Sequence, residues 1–153
     1  MIQQSLRSSA IFRDLDDEEL AQVLMAGMQK RFPQETVILT EGAPGGQLHV
    51  INQGRVRISK VVPGVGEEAL TILGPGEFFG EVEFFDGAPS SAHAIAHSDC
   101  EVFTIPHEEV RAMMDSHPTL CAKFLWAFSR TLAARLRESN QKISSLFAIA
   151  REF

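Results

Sequence analysis

The pattern of hydrophobic and polar positions divides the chain into a helical start, a long central region of short strands and a helical end. The start has an apolar stripe at helical spacing. Asp16 precedes it and Glu19 follows three residues later, which is the arrangement of a capping box. Apolar residues further upstream predict a short segment that packs on the same core. The stripe consists of Leu20, Val23, Leu24 and Met28, and the upstream residues are Leu6, Ile11, Phe12 and Leu15.

Between residues 30 and 106 the pattern changes to alternating or apolar runs of strand length, separated by glycine and proline. Regular short runs with turn signals between them predict an antiparallel β-sandwich or β-barrel. The step Asn52-Gln53-Gly54, between two of the runs, predicts a tight hairpin. One run, residues 80–85, lies between two glycine-marked turns and predicts a single helical turn. The predicted strands cover residues 36–40, 47–52, 55–61, 68–73, 93–96 and 100–105.

After Pro106 the pattern is helical again. Residues 107–115 predict a short helix that ends before Pro118, because a residue followed by proline disfavours the α region. Residues 119–150 contain no glycine or proline and predict one helix about 45 Å long, at the usual rise per residue. Such a helix is longer than a domain of this size can cover, so we expect its far end to meet a second copy of the chain. Its apolar positions are Cys121, Leu125, Phe128, Leu132, Leu136, Ile143, Phe147 and Ala150, interrupted at Ser139 and Asn140.

Composition narrows the class of protein. The chain has 153 residues, a formal net charge of −6 and two cysteines. This length suits one domain, and two cysteines make no disulfide or metal framework, so we expect a cytoplasmic protein. The acidic balance disfavours a broad nucleic-acid surface, and no apolar stretch is long enough to span a membrane. Because no catalytic motif or metal-ligand spacing stands out, we expect no enzyme, no catalytic residues, no metal site and no cofactor.

The most informative segment covers residues 74–92. The run GPGEFFGE leads into the predicted helical turn, and the run PSSA begins eight residues after the last glutamate of that run. A short helix that begins near Gly80 aims unpaired backbone N–H groups at its start, which favours an anion there. Glu81 offers a fixed hydrogen-bond acceptor. Ser91 and the N–H of Ala92 offer donors.

This segment resembles the phosphate-binding cassette of cyclic nucleotide-binding domains, and the order of elements along nearly the whole chain is similar to that family. The resemblance implies a mainly β fold with flanking helices. The fold would be a double-stranded β-helix, or jelly-roll, with N-terminal helices, a short cassette helix and a long C-terminal dimerisation helix. It would divide into a β-roll with its flanking helices, residues 1–117, and the long helix, residues 118–153.

The resemblance also implies a ligand site and an oligomeric state. The run LAARLRESNQKISSL is similar to the dimerisation helix of the bacterial catabolite-activator branch, which implies a homodimer through residues 119–150. The matching glutamate of the family binds a ribose hydroxyl, and two polar residues of its long helix reach the purine. Carried over by position, the ligand-binding residues are Phe79, Gly80, Glu81, Val82, Ser90, Ser91, Ala92, Leu70, Thr71, Ser139 and Asn140.

One position departs from the family motif, because Ser90 stands where the family has an arginine. The bidentate, charge-assisted contact that an arginine makes with a phosphate is worth about 1.5–3 kcal/mol. Three interpretations therefore stay open: weak binding of a cyclic mononucleotide such as cyclic AMP or cyclic GMP, binding of a differently charged nucleotide, or a ligand-free interaction domain. Arg55, Arg57 and His93 are candidates for a compensating cation.

The expected function is a non-catalytic ligand-sensing regulatory module that signals through its dimeric long helix to a partner protein. The sequence continues only three residues past Ala150, so we expect no winged helix-turn-helix, no nucleic-acid or membrane partner, and an unidentified effector protein. The alternative is a degenerate, ligand-free fold that serves as a protein–protein interaction scaffold. Ser139 and Asn140 would then be a polar pair in a dimer seam. We expect Arg135 on a solvated face or paired with Glu138 between subunits.

Overall fold

Residues 2–153, which the computed structural model describes, form two four-stranded antiparallel sheets flanked by helices at both chain ends. Met1, the first residue of the predicted 1–117 segment, lies outside the described residues. The strands are β1 (Met28–Phe32), β2 (Val37–Leu39), β3 (Gln47–Gln53), β4 (Val56–Val62), β5 (Gly66–Leu73), β6 (Phe78–Phe79), β7 (His93–Ala96) and β8 (Cys100–Pro106). The helices are α1 (Ile2–Arg7), α2 (Asp17–Ala26), α3 (Glu81–Asp86), α4 (His107–Ser116) and α5 (Pro118–Arg151).

The sheets have the strand orders β1-β8-β3-β6 and β2-β7-β4-β5. Each of the six predicted strands is present within two residues of its predicted bounds, and the jelly-roll prediction is confirmed. Two further strands, β1 and β6, lie outside the six predicted ranges. β1 is an edge strand of mostly polar residues, and β6 has only two residues, so neither carries a clear alternating pattern.

The predicted hairpin at Asn52–Gly54 is wrong. β3 pairs with β6 and β8, whereas β4 pairs with β5 and β7, so this turn carries the chain from one sheet to the other. Gly54 has a φ of +84°, and a Cβ there would lie 2.2 Å from the carbonyl oxygen of Asp99. The glycine therefore specifies a turn at this place, but it does not specify which strands pair on either side of it.

The capping box at the start of α2 is confirmed. The Asp16 carboxylate accepts a hydrogen bond from the backbone N–H of Glu19 at 2.8 Å, and the Glu19 carboxylate accepts one from the N–H of Asp16 at 2.9 Å. Met28 was assigned to the stripe of this helix, and that prediction is wrong. The helix ends at Ala26, and Met28 begins β1 with its side chain exposed.

The core has two parts. One part lies between the helices and the first sheet, and it contains all four apolar residues of the segment that precedes α2, as predicted. The other part fills the inside of the roll with mostly small and β-branched side chains from both sheets, together with Leu73 and Phe79. Phe124 and Phe128 of α5 belong to the first part, so the first turns of the long helix are fixed to the roll.

The second half of α5 is different, because every side chain from Leu136 to Arg151 is exposed. Apolar and small residues recur along one side of the helix with alternating steps of four and three residues, which is the spacing of a coiled-coil seam. We call this row the α5 seam. All its members are exposed: Ala122, Trp126, Ser129, Ala133, Leu136, Asn140, Ile143, Phe147 and Ala150.

Despite its length, α5 is not apolar enough to cross a membrane, and neither is any other helix within residues 2–153.

Candidate functional site

The cassette is a short strand, a glycine and a short helix. β6 ends at Phe79, Gly80 has a φ of +88°, and α3 follows from Glu81. A Cβ on Gly80 would lie 2.4 Å from the backbone oxygen of Gln47. Both the left-handed conformation and the close approach of β3 therefore require glycine at this position.

A cleft of about 270 Å³ lies between the cassette, the inside of the roll and α5. Nine of the eleven predicted ligand-binding residues line it. Leu70 and Asn140 do not: Leu70 lines a neighbouring cleft, and Asn140 belongs to the α5 seam. We call this space the cassette cleft. The predicted residues that line it are Thr71, Phe79, Gly80, Glu81, Val82, Ser90, Ser91, Ala92 and Ser139.

Ser90 is buried at the edge of this cleft, and its backbone is held on both sides. Its N–H donates to the carbonyl oxygen of Ala43 at 3.0 Å, and its carbonyl accepts from the N–H of Gly42 at 2.8 Å. The hydroxyl donates to the carbonyl oxygen of Ala92 at 2.7 Å. Ser91, in contrast, is exposed. The position of the missing arginine is thus a rigid part of the loop that faces the cleft.

The cation in the cleft comes from the long helix. Arg135 Nη1 donates to the Glu81 carboxylate at 2.5 Å, Nη2 donates to the carbonyl oxygen of Phe78, and the guanidinium carbon lies 4.9 Å above the Phe78 ring. Glu81 is 3% exposed. Burial raises the pKa of Glu81 and Arg135 opposes that rise. A buried carboxylate needs such a partner to stay charged.

Arg135 is the residue that the sequence analysis missed, since it was expected on a solvated face or beside Glu138. The signal was present. Arg135 lies on the same side of a helix as Phe124, Phe128 and Thr131, at steps of four, three and four residues, and that side packs on the roll. A cation in phase with buried aromatic residues points into the domain, not toward solvent.

The three cations proposed from the sequence do not provide the missing charge. Arg57 is held by two carboxylates, those of Glu35 at 2.6 Å and Glu67 at 2.8 Å. Arg55 is exposed and lines neither of the two clefts beside α5. His93 does line the cassette cleft, but its Nδ1 accepts a hydrogen bond from the N–H of Glu41 at 3.1 Å.

A larger cleft of about 600 Å³ lies on the other side of α5, between that helix, β5 and the turn before α2. The two spaces meet beneath the helix, because they share five lining residues: Ile58, Thr71, Leu73, Arg135 and Ser139. Lys142 Nζ donates to the carbonyl oxygen of Leu70 at 2.6 Å on the free edge of β5. Arg135 and Lys142 are therefore the polar contacts that hold the second half of α5 near the roll.

Two histidines support the cassette from outside the cleft. The His49 ring stacks on Phe79 with a centroid distance of 4.6 Å, and burial lowers the pKa of His49 to about 3. His49 is thus neutral at physiological pH. His107 Nε2 lies 2.9 Å from the carbonyl oxygen of Gly80.

The scattered histidines and acids do not assemble into a metal centre within residues 2–153, where no three of the His, Cys, Asp and Glu side chains are placed to hold an ion together.

Comparison with known proteins gives relatives along most of the chain. The cyclic AMP receptor protein of Thermus thermophilus is 33% identical over 141 residues, which are 92% of this chain and 63% of that protein. The CRP-like cAMP-activated global transcriptional regulator of Mycobacterium tuberculosis is 28% identical over 141 residues, covering 92% of this chain and 61% of that one. The chain therefore spans about three fifths of the length of these relatives.

Solved structures agree with the sequence relatives. A cyclic nucleotide-binding domain from Methylobacillus flagellatus has a TM-score of 0.85 at 27% identity, covering 93% of this chain and 82% of that one. The catabolite activator protein of Thermus thermophilus has a TM-score of 0.75 at 31% identity, covering 90% and 63%. Residues 29–117, more than half of the chain, match the cyclic nucleotide-binding domain as a family. The chain belongs to the cyclic nucleotide-binding domain family.

Proposed function

We propose that this chain is a non-catalytic sensing module that binds a cyclic nucleotide in the cassette cleft and signals through a dimeric α5 to an effector protein. The observation that carries the proposal is that one cleft joins the cassette to the long helix, with Glu81 and Arg135 paired inside it at 2.5 Å. A ligand that binds Glu81 must compete with or rearrange this ion pair. It would therefore shift the position of α5 to the extent that it binds one arrangement of the ion pair and the helix more tightly than the other.

The lining suggests how a nucleotide would lie. Exposed Ser91 and the backbone of Ala92 would hold the phosphate, and Glu81 would accept a hydrogen bond from a ribose hydroxyl. Thr71 of β5 and Ser139 of α5, which line the cleft from opposite elements, would face the base. Arg135 is the only cation of the described lining with a permanent charge. A bound phosphate would therefore interact with a guanidinium that belongs to α5, the helix proposed to transmit the signal. Cyclic AMP and cyclic GMP are the first candidates.

Titration with cyclic AMP, cyclic GMP and cyclic dinucleotides tests the proposal. We expect saturable heat in isothermal titration calorimetry with at least one of them. We also expect Glu81→Ala to weaken binding about tenfold to a hundredfold, since it removes a charged acceptor. Glu109→Ala, at an exposed acid of α4, is the matched control and should bind as the unchanged chain does. The absence of both heat and a thermal shift with all these ligands would refute the sensor function for these ligands.

The α5 seam supports the proposed homodimer. Leu136, Ile143 and Phe147 are 62%, 50% and 67% exposed, and a second copy of the helix would cover them in a knobs-into-holes seam. Asn140 occupies one position of this seam, where a polar residue fixes the register of two helices at some cost in stability. The neighbouring residue Ser139 lines the cassette cleft of its own subunit. We therefore assign Ser139 to ligand binding and Asn140 to the dimer.

Light scattering tests the dimer. We expect the double variant Leu136→Glu/Ile143→Glu to be monomeric, because two buried charges per helix would face two others across the seam. Both side chains are exposed within one subunit, so the fold should survive. Gln141→Glu/Ser145→Glu adds the same charge on the opposite side of the helix and should remain dimeric. A seam variant that stays dimeric would show that α5 is not the interface.

A ligand-free interaction scaffold remains the second candidate function. One observation favours it: the Ser90 hydroxyl and the Glu81 carboxylate, both expected to meet a ligand, are already paired with Ala92 and Arg135. A scaffold would keep the dimer and lose the nucleotide response, so the titration separates the two functions.

A further inference from the structure

We propose that His107 is a positioning residue for ligand recognition, which fixes the peptide between Gly80 and Glu81 so that the N–H and the carboxylate of Glu81 face the cassette cleft together. The inference rests on the proposed function, because it concerns the same site. His107 does not line the cleft itself, and the sequence pattern assigns it no ligand contact.

His107 is anchored at both its backbone and its ring. Its backbone N–H donates to the carbonyl oxygen of Gly46 at 2.7 Å, and its ring packs edge-on against Phe84 with a centroid distance of 5.3 Å. Its Nε2 lies 2.9 Å from the Gly80 carbonyl oxygen. Because a carbonyl oxygen only accepts, Nε2 carries the proton and donates it. The histidine is therefore a fixed donor aimed at the cassette.

The geometry of the peptide unit transmits this contact. All peptide bonds of the described residues are trans, and in a trans peptide the carbonyl and the N–H point in opposite directions. Holding the Gly80 carbonyl toward His107 therefore directs the Glu81 N–H away from it. The Glu81 carboxylate pairs with Arg135 at 2.5 Å, and both residues line the cassette cleft. Burial raises the pKa of Glu81, and the contacts that oppose the rise are those with Arg135 and with its own backbone N–H.

An external anchor matters at this place because the residue it holds is glycine. Gly80 has no side chain to restrict rotation of its flanking peptides. Its positive φ is one of several backbone conformations that have similar energy for glycine. The Gly80 carbonyl has a second lone pair, so it can accept from His107 as well as from the first turn of α3. The His107 bond makes one orientation of the peptide preferred.

His107 is also the first residue of α4. Val110, Met113 and Met114 of that helix share the core with Leu120 and Phe124 of α5. The residue that orients the cassette peptide is thus rigidly attached to the helical layer on which α5 rests. His107 therefore connects the orientation of the cassette peptide to the packing of α4 and α5.

Two variants separate the hydrogen bond from the rest of the side chain. His107→Phe keeps an aromatic ring against Phe84 and removes the donor, whereas His107→Gln keeps an N–H donor of similar reach. With cyclic AMP as the probe, we expect H107F to bind about tenfold more weakly, the equivalent of one lost hydrogen bond. We expect H107Q to bind within about threefold of the unchanged chain. If H107F does not fold, His107→Met removes the same donor with a flexible side chain.

The matched control is His117→Phe. His117 also places a ring nitrogen near a backbone carbonyl, 3.3 Å from that of Met113, but at the far end of α4. It should leave the affinity for cyclic AMP unchanged. If folded H107F binds as tightly as the unchanged chain, or H107Q binds as weakly as H107F, the positioning role is wrong.

A second measurement is independent of any ligand. In ¹H–¹⁵N NMR spectra of the ligand-free protein, the Glu81 amide resonance should move in H107F and stay near its place in H107Q and H117F. An unmoved resonance in H107F overturns the inference. If the unchanged chain binds no cyclic nucleotide, the proposed function fails by itself, and the amide resonance still decides whether His107 orients this peptide.

Discussion

Replacing Ser90 with arginine is expected to tighten the binding of cyclic AMP about tenfold to a hundredfold, the value of one charge-assisted contact with a phosphate. The cassette cleft has one permanent cation among its described lining residues, Arg135, and Glu81 already neutralises it at 2.5 Å. A guanidinium from the cassette loop would add a planar fork that matches two phosphate oxygens. Isothermal titration calorimetry of S90R beside the unchanged chain measures the gain.

The loop can carry this substitution. Ser90 is anchored by its own backbone through Ala43 and Gly42, and the side chain contributes one hydrogen bond, to the Ala92 carbonyl. Losing that bond costs about 1 kcal/mol of stability. The longer side chain would extend into a cleft of about 270 Å³. S90R should therefore fold as the unchanged chain does.

Ser116→Arg is the control for S90R, since it adds the same charge at the exposed last residue of α4, away from the cassette cleft. It should leave the affinity where it was. If S90R also leaves it unchanged, the cleft does not receive a phosphate, and the ligand-free scaffold becomes the better description of this chain.

Replacing Arg135 with methionine is expected to lower the free energy of unfolding by about 2–3 kcal/mol at pH 7, somewhat less than for a fully buried pair. The Glu81 side chain is 4% exposed and that of Arg135 is 27% exposed. Methionine keeps apolar contact with the Phe78 ring but removes both donors, so a buried carboxylate loses its partner. Urea unfolding followed by circular dichroism measures the loss.

The loss should depend on pH in a definite direction. Burial raises the pKa of folded Glu81 above its ordinary value of 4.5, and Arg135 limits that rise. Without Arg135 the folded pKa rises further, so between the unfolded and folded values the folded chain binds more protons than the unfolded chain. Stability then falls as the pH rises through this interval. The unfolding free energy of R135M should therefore be close to that of the unchanged chain near pH 4, and the whole predicted loss should be present at pH 7.

Two further variants test the cause. Arg137→Met, on the exposed side of the same helix, should change stability little at either pH. Adding Glu81→Gln to R135M removes the buried charge and should restore most of the loss at pH 7. A loss in R135M that is equal at both pH values would mean that lost packing, and not the unpaired carboxylate, destabilises the chain.

Local patterns predicted most of the fold. The capping box at Asp16 and the strand of residues 93–96 depend on residues that are neighbours in sequence, and both lie where the pattern placed them. The pairing of β3 and β4 depends on the whole roll, so a glycine turn at Gly54 did not reveal that the two strands belong to different sheets. β6 is too short to show a period.

The sequence predicted the contiguous part of the candidate site and missed the cation that comes from α5. The cassette residues are contiguous, so the motif brought Gly80, Glu81 and Ser90 to one place. Arg135 is 54 residues from its partner in the sequence, and its charge favoured a solvated face until the phase of α5 relative to the roll was known. Asn140 and Ser139 are neighbours that a helix turns to different sides, and the polar break in the stripe could not separate them.

The chain contains one tryptophan and no tyrosine. That tryptophan, Trp126, is 66% exposed on the α5 seam. The intrinsic fluorescence of this protein therefore comes from a single indole at the surface that a second helix would cover. Its emission shifts to shorter wavelength when water leaves the ring. The proposed dimerisation can thus be tested without a label by diluting the protein in a fluorimeter.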